Sequence, residues 1–236
     1  MTNSNSNSWE NEFDDILKHL YDFRGKFSSL KVQLEVMAKK EIIICSKILK
    51  KQRFNAQVYL RRAKCKRLTH HFYGAIKDCT KAIELNDAYL PAYGERSFCY
   101  LLIRDYEKAI FDYSKILEKY KTDKYFYFRG ICRARLKIYA QAIEDFTEAL
   151  KLHDAEWPSV VFKRGFCYLK SKKYDEAILD LLEVVRLDNK NTKYLHNLGI
   201  AYKLKGKIKL AKEVFDLKRE LMPLSEMNEK EPEDSL

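Results

Sequence analysis

Cysteine, histidine, arginine and aspartate are the residues in this sequence whose spacing could do chemistry. Cys65, Cys99, Cys132 and Cys167 recur at intervals of 34, 33 and 35 residues, and Cys45 lies 34 before Cys79. Thiols can ligate zinc, pair as disulfides or serve as nucleophiles, and each use demands a close partner. No two of these cysteines have a C-x2-C spacing. Equivalent positions one repeat apart lie roughly a helix pair's width from each other, beyond the ~7 Å between Cα atoms that a disulfide spans. The spacing predicts small, buried core residues, and six free thiols suit a reducing compartment.

The five histidines offer no better catalyst: His70 and His71 adjoin in a turn, and His153 and His196 lack a nucleophile or ligand signature nearby. A glycine-rich phosphate loop and an H-E-x-x-H pair are both missing from the sequence. We therefore expect no enzyme activity, no cofactor and no bound metal. The arginines are more informative. Arg62, Arg96, Arg129 and Arg164 each stand 16 residues before an aspartate: Asp78, Asp112, Asp145 and Asp180. In the fifth copy both members change together, to Leu198 and Val214. An arginine half-buried on a helix face needs a countercharge. The pattern predicts a repeated Arg–Asp ion pair with a structural role.

A periodic array must position these residues. Ala75, Ala109, Ala142, Ala177 and Ala211 recur at intervals of 34, 33, 35 and 34, each in a similar setting such as Glu107-Lys108-Ala109-Ile110. A period near 34 residues marks stacked helical units. With those alanines set at position 20, position 8 holds Ala63, Ser97, Gly130, Gly165 and Gly199. Position 17 holds Phe72, Tyr106, Tyr139, Tyr174 and Ile208, and position 24 holds Cys79, Tyr113, Phe146, Leu181 and Phe215. Small residues let two helices approach, and large ones fill the space beside them. Short polar turns such as Lys172-Lys173 and Lys205-Gly206-Lys207 divide the helices of a pair.

The other numbers agree with such an array. Seven glycines and four prolines are too few for a turn-rich β fold. No apolar run approaches the ~18 residues of a membrane span. The start, MTNSNSNS, resembles neither a signal nor a transit peptide. These features lead us to expect a cytoplasmic, intracellular protein without a membrane span.

The pattern resembles the tetratricopeptide repeat, W-x2-L-G-x2-Y followed by A-x3-F and P. The fifth unit carries it most fully, with Leu195, Leu198-Gly199, Tyr202, Ala211, Phe215 and Pro223. Two departures stand out: Asp87, Lys121, Asp154 and Asn189 replace the terminal proline in units one to four, and arginine replaces leucine at position 7 there. The resemblance covers Ala56 to Pro223, about seven-tenths of the chain. It implies an all-α fold, an α-solenoid of about five helix-turn-helix units wound as a right-handed superhelix. The expected units are 56–89, 90–122, 123–157, 158–191 and 192–223. Residues 1–8 are expected to be a disordered polar start and 224–236 an acidic disordered tail. Residues 9–55 read as N-terminal capping helices or a degenerate repeat. Trp9, Phe13, Ile16, Leu17 and Leu20 share one helical face there, and Phe27, Leu30, Leu34, Met37, Ile44 and Ile48 form a second run.

In the resembled family, ligand lies in the groove lined by first helices. The matching positions here include Leu60, Lys64, Phe98, Leu101, Tyr127, Ile131, Phe162, Phe166 and Leu169. That wall is apolar at its centre and suits either a helix or extended segment of a partner protein or a covering element of this chain, such as the N-terminal helices folding across it. The expected function is a non-enzymatic adaptor or scaffold whose partner is another protein. The family's carboxylate-clamp chaperone binding is tested residue by residue. Its donor positions hold Leu60, Lys64, Glu95, Lys124 and Phe128 from unit one, and Gly94, Phe98, Phe128, Ser159 and Lys163 from unit two. From unit three they hold Tyr127, Ile131, Lys163, Lys193 and Asn197. No register supplies the full set of donors, which argues against a clamp. The rival reading is RNA or another polyanion on the basic 47–77 region. Lys47, Lys50, Lys51, Arg53, Arg61, Arg62, Lys64, Lys66, Arg67 and Lys77 lie there without an acidic residue between Glu41 and Asp78. A solvated lysine face is the plainer account of that run, and Glu226, Glu229, Glu231, Glu233 and Asp234 could shield it.

Overall fold

The computed structural model describes residues 28–221, and every regular element within them is an α-helix. The expectations for residues 1–8, for the helix around Trp9–Leu20 and for the acidic tail at 224–236 lie outside the described residues. Helix α1 spans Ser28–Lys51. Five antiparallel pairs follow: α2 (Ala56–Leu68) with α3 (Phe72–Leu85), α4 (Leu90–Leu102) with α5 (Tyr106–Leu117), and α6 (Asp123–Arg135) with α7 (Tyr139–Leu152). The last two are α8 (Pro158–Lys170) with α9 (Tyr174–Leu187) and α10 (Thr192–Leu204) with α11 (Ile208–Leu221). The ten helices expected between Ala56 and Pro223 are therefore present, and the described residues contain no strand.

Local sequence starts and stops these helices. Asn55 caps α2 by accepting from the Val58 amide at 3.1 Å, and Pro91 and Pro158 occupy the first turns of α4 and α8, where no intrahelical donor is needed. The turn inside each pair uses one left-handed residue in the same register: His70, Arg104, Lys137 and Lys172 with φ of 60–64°, and Gly206 at 83°. Four of the five turns thus place a side chain where glycine is favoured.

The recurrent alanines are the packing centres. Ala75, Ala109, Ala142 and Ala177 have no accessible surface, and Ala211 retains 3%. Position 8 is small because the second helix arrives against it: a Cβ on Gly130 would stand 2.8 Å from the Phe146 ring. The cysteines fill the same layers. All six are free and buried, and burial first of all pushes the Cys45, Cys65, Cys99, Cys132 and Cys167 thiols up to about 12.

Each helix packs on the helices before and after it in the chain. In addition α2 touches α4 and α8 touches α10, whereas no two second helices come into comparable contact. The described array therefore curves with its first helices inside. Helix α1 is one unbroken helix of 24 residues rather than a helix pair. It buries Leu34, Ala38, Cys45 and Leu49 and occupies the place of a second helix ahead of α2.

Candidate functional site

Two sets of side chains recur through the array, one between the helices of each pair and one on the inner face. The first set contains the arginines. Arg62 meets Asp78 at 2.7 Å, Arg96 meets Asp112 at 2.8 Å, Arg129 meets Asp145 at 2.7 Å and Arg164 meets Asp180 at 2.8 Å. All four contacts are two-pronged, with Nε and Nη2 both donating to one carboxylate, the geometry that favours arginine over lysine. Burial still holds the Asp112 and Asp145 carboxyls above the ordinary range, against the pull of their arginines.

Sequence reasoning missed three additions to this set. The remaining Nη1 of Arg62, Arg96 and Arg129 reaches back to Ser46, Thr80 and Ser114 in the preceding second helix, at 3.0–3.1 Å. The contact ties one unit to the one before it, and the 34-residue step from Ser46 to Thr80 to Ser114 was the available signal. Ser46 belongs to α1, which is how α1 joins the array. Second cations also arrive: Lys66 on Asp78 and Arg133 on Asp145, each at 2.7 Å. Finally, Tyr59, Tyr93 and Phe126 lie three residues before Arg62, Arg96 and Arg129, with each guanidinium 5.4–5.6 Å from the ring centroid.

The inner face holds the predicted groove residues, and they are not equally accessible. Leu60, Phe162, Phe166 and Leu169 retain only 5–7% of their surface. Leu60 packs with Ala63 and Ala75, while Phe162 and Leu169 join the core of the last two pairs. Lys64, Phe98, Leu101, Tyr127 and Ile131 are half-buried. Among these the aromatic rings form a continuous row. Phe98 meets Phe128 edge-on at 5.4 Å, Phe128 lies 5.2 Å from Tyr127, and Tyr127 lies 4.9 Å from Trp157. Arg67 stands over Phe98 at 5.2 Å and is ion-paired to Glu95.

The basic 47–77 region loses much of its charge to carboxylates from outside that stretch. Arg61 pairs with Glu41, Arg62 and Lys66 with Asp78, and Arg67 with Glu95. Lys47, Lys50, Lys51, Arg53 and Lys77 remain exposed. Among the described residues the histidines do not assemble a metal site either. His153 binds Asp123 at 2.6 Å and stacks 4.3 Å from Trp157, which fastens the loop after α7 to the start of α6. Among the described residues no three His, Cys, Asp or Glu side chains are placed to hold a metal, and no helix is long and apolar enough to cross a membrane.

The tetratricopeptide repeat model matches residues 158–191, the fourth unit. The chain is 37% identical over 71 residues to DnaJ homolog subfamily C member 7 of Homo sapiens, covering 30% of this chain and 14% of that protein. It is 37% identical over 83 residues to the SGT1 homolog of Bos taurus, covering 35% and 25% respectively. It thus spans a quarter or less of the length of these curated relatives. Among solved structures, YrrB, described as a TPR protein with an unusual peptide-binding site, superposes with a TM-score of 0.70 at 22% identity, over 76% of this chain and 93% of that one. MamA superposes with a TM-score of 0.66 at 20% identity, over 77% and 97%. At these identities the superpositions speak for the fold alone.

Proposed function

We propose that this chain, a tetratricopeptide-repeat protein, is a non-enzymatic adaptor that holds a segment of a partner protein against its inner face. The observation that carries this reading is the row of half-buried apolar side chains Phe98, Leu101, Tyr127 and Ile131 on the first helices α4 and α6. The array curves toward that row, and aromatic side chains in a partly desolvated groove tend to carry most of a binding energy. Leu60 on α2 and Phe162, Phe166 and Leu169 on α8 belong to the units on either side of that row and are buried. The name given to YrrB, a repeat array with a peptide-binding site, fits the same use of the fold. Six buried, free thiols suit a reducing, cytoplasmic setting.

The polyanion reading is weaker by comparison, because Arg61, Arg62, Lys66 and Arg67 are already paired with carboxylates. The test is affinity capture with the full chain and with Phe98→Ser/Tyr127→Ser. Both substituted residues keep accessible surface, so helicity should persist, whereas a polar residue at Phe162 would enter the core. Loss of the captured partner at unchanged circular dichroism supports the groove. Capture that survives the substitutions and falls steeply with salt would move the function to the basic surface.

A further inference from the structure

On the outer face the last two units differ from the rest. In the first three intervals an arginine bridges a hydroxyl of the preceding second helix and the aspartate of its own pair, as Arg96 does between Thr80 and Asp112. In the last interval all three places are apolar: Leu182 on α9, Leu198 on α10 and Val214 on α11. Leu198 is buried and Val214 packs on the same core, so they floor the gap between α9 and α11, which α10 holds apart. Leucines stand on both walls. Leu179 lies one turn before Leu182 on α9, and Leu210 and Leu217 lie one turn either side of Val214 on α11. Leu179, Leu182, Leu210 and Leu217 keep 68%, 42%, 39% and 42% of their surface. The four equivalent residues between α7 and α9 are Glu144, Thr147, Glu176 and Glu183, and those between α3 and α5 are Lys77, Thr80, Lys108 and Lys115. Between α5 and α7, Phe111 alone is apolar. A leucine strip open to water at one interval of an otherwise polar outer face calls for a cover.

We propose that residues 224–236 of the same chain turn back along this strip and cover it, instead of shielding the basic 47–77 stretch at the opposite end of the array. The inference does not depend on the inner-face reading. The far end of the gap is crossed by Lys205, which meets Asp175 at 2.6 Å, whereas α11 ends at Leu221 beside the other end. Pro223 follows and cannot continue the helix. The spacings then match. Seven helical residues from Leu210 to Leu217 span about 10 Å, and so do three extended residues from Leu224 to Met227. With Leu224 on Leu217 and Met227 on Leu210, Glu229 and Glu231 arrive at Lys207 and Lys209. Charge agrees with that direction: residues 203–221 carry seven cations and three anions, and residues 224–236 carry five acids and one lysine. A second copy needs about 800 Å² per partner for a stable interface, more than a strip about 20 Å long and two helices wide offers, whereas a tethered segment acts at millimolar effective concentration.

The test is disulfide trapping in the full chain under mild oxidation. Met227→Cys is combined either with Leu210→Cys on the strip or with Lys212→Cys, about 200° round the same helix. Both helix positions are exposed, the tether to position 227 is nearly equal, and the native thiols are buried. The Leu210 pair should close within one chain about tenfold faster than the Lys212 pair. Leu179→Ser/Leu182→Ser changes exposed residues of the opposite wall and should bring the two rates together at unchanged circular dichroism. Equal rates without those substitutions, including no closure in either pair, overturn the proposal, as does a faster Lys212 pair. A Leu210 rate that ignores Leu179→Ser/Leu182→Ser overturns it too. Bridges between chains, recognised by their rise with protein concentration, overturn it in favour of a second copy on the strip.

Discussion

Replacing Arg96 with leucine should cost far more than replacing Arg96 and Asp112 together. Asp112 is 1% exposed and Arg96 14%. Arg96 donates to both Asp112 oxygens at 2.8 Å and to Thr80 Oγ1 at 3.1 Å, and it is the cation on Asp112 among the described residues. Arg96→Leu strands that carboxylate, and breaking a buried pair from one side costs about 3–5 kcal/mol. Arg96→Leu/Asp112→Val reproduces the Leu198 and Val214 of the fifth unit. Replacing the whole buried pair by apolar groups is often close to neutral, so the double variant should fall within about 1 kcal/mol of the parent. The double variant should therefore be about 2–4 kcal/mol more stable than Arg96→Leu alone. Arg129→Leu should cost less, about 1.5–3 kcal/mol, the worth of a charged hydrogen-bonded contact, because Arg133 stays on Asp145 at 2.7 Å. The pH dependence has a definite sign. Burial raises the folded-state pKa of Asp112, so the folded form binds more protons than the unfolded one above the ordinary value of ~3.9. Stability from this group falls as pH rises through that window, and the loss deepens once Arg96 is gone. The deficit of Arg96→Leu should therefore shrink as the buffer is acidified from neutrality. Urea unfolding followed by circular dichroism reads all four proteins. A deficit under 1 kcal/mol for Arg96→Leu, or a double variant no more stable than Arg96→Leu, would refute the ladder's energetics.

Three further outcomes follow from the same geometry. Lys137→Gly and Lys172→Gly should each stabilise the chain by about 1 kcal/mol, since both residues hold φ of 61°; an unchanged or lower urea midpoint would contradict this. Gly130→Ala should destabilise by about 1–3 kcal/mol, because its Cβ would meet Phe146 at 2.8 Å and the Asp145 Cβ at 3.2 Å; a neutral effect in the same assay would mean α7 can yield. The thiols should resist a chromogenic disulfide reagent at pH 8 until denaturant is added, because they are buried and burial pushes Cys45, Cys65, Cys99, Cys132 and Cys167 up to about 12; rapid native labelling would show that the helix pairs open locally.

Periodicity made the fold readable. An interval of 33–35 residues between Ala75, Ala109, Ala142, Ala177 and Ala211 sets both the number of helix pairs and the face each one buries. Covariation inside the chain exposed the Arg–Asp contacts, because a charge lost at Leu198 is matched by one lost at Val214. Accessibility was not readable in the same way. Phe98 and Phe162 both fall on the inner face, yet Phe162 sinks among Leu181, Leu198 and Tyr202 while Phe98 keeps part of its surface. That difference depends on neighbours contributed by the next unit, which spacing within one unit does not encode. The basic stretch misled for a related reason. Its acid-free run is local, but Glu41, Asp78 and Glu95 reach it from α1, α3 and α4.

The central claim, that the inner face holds a partner protein, is tested most directly by site-specific photo-crosslinking. A photoreactive residue is placed at Ile131, on the inner row, and separately at Leu179, exposed on the second helix α9. Each protein is irradiated in cell extract and then purified under denaturing conditions. The account predicts one protein adduct from position 131, lost on adding Phe98→Ser/Tyr127→Ser, and no such adduct from position 179. The same adduct from position 179 alone would place the partner on the outer face and contradict the account.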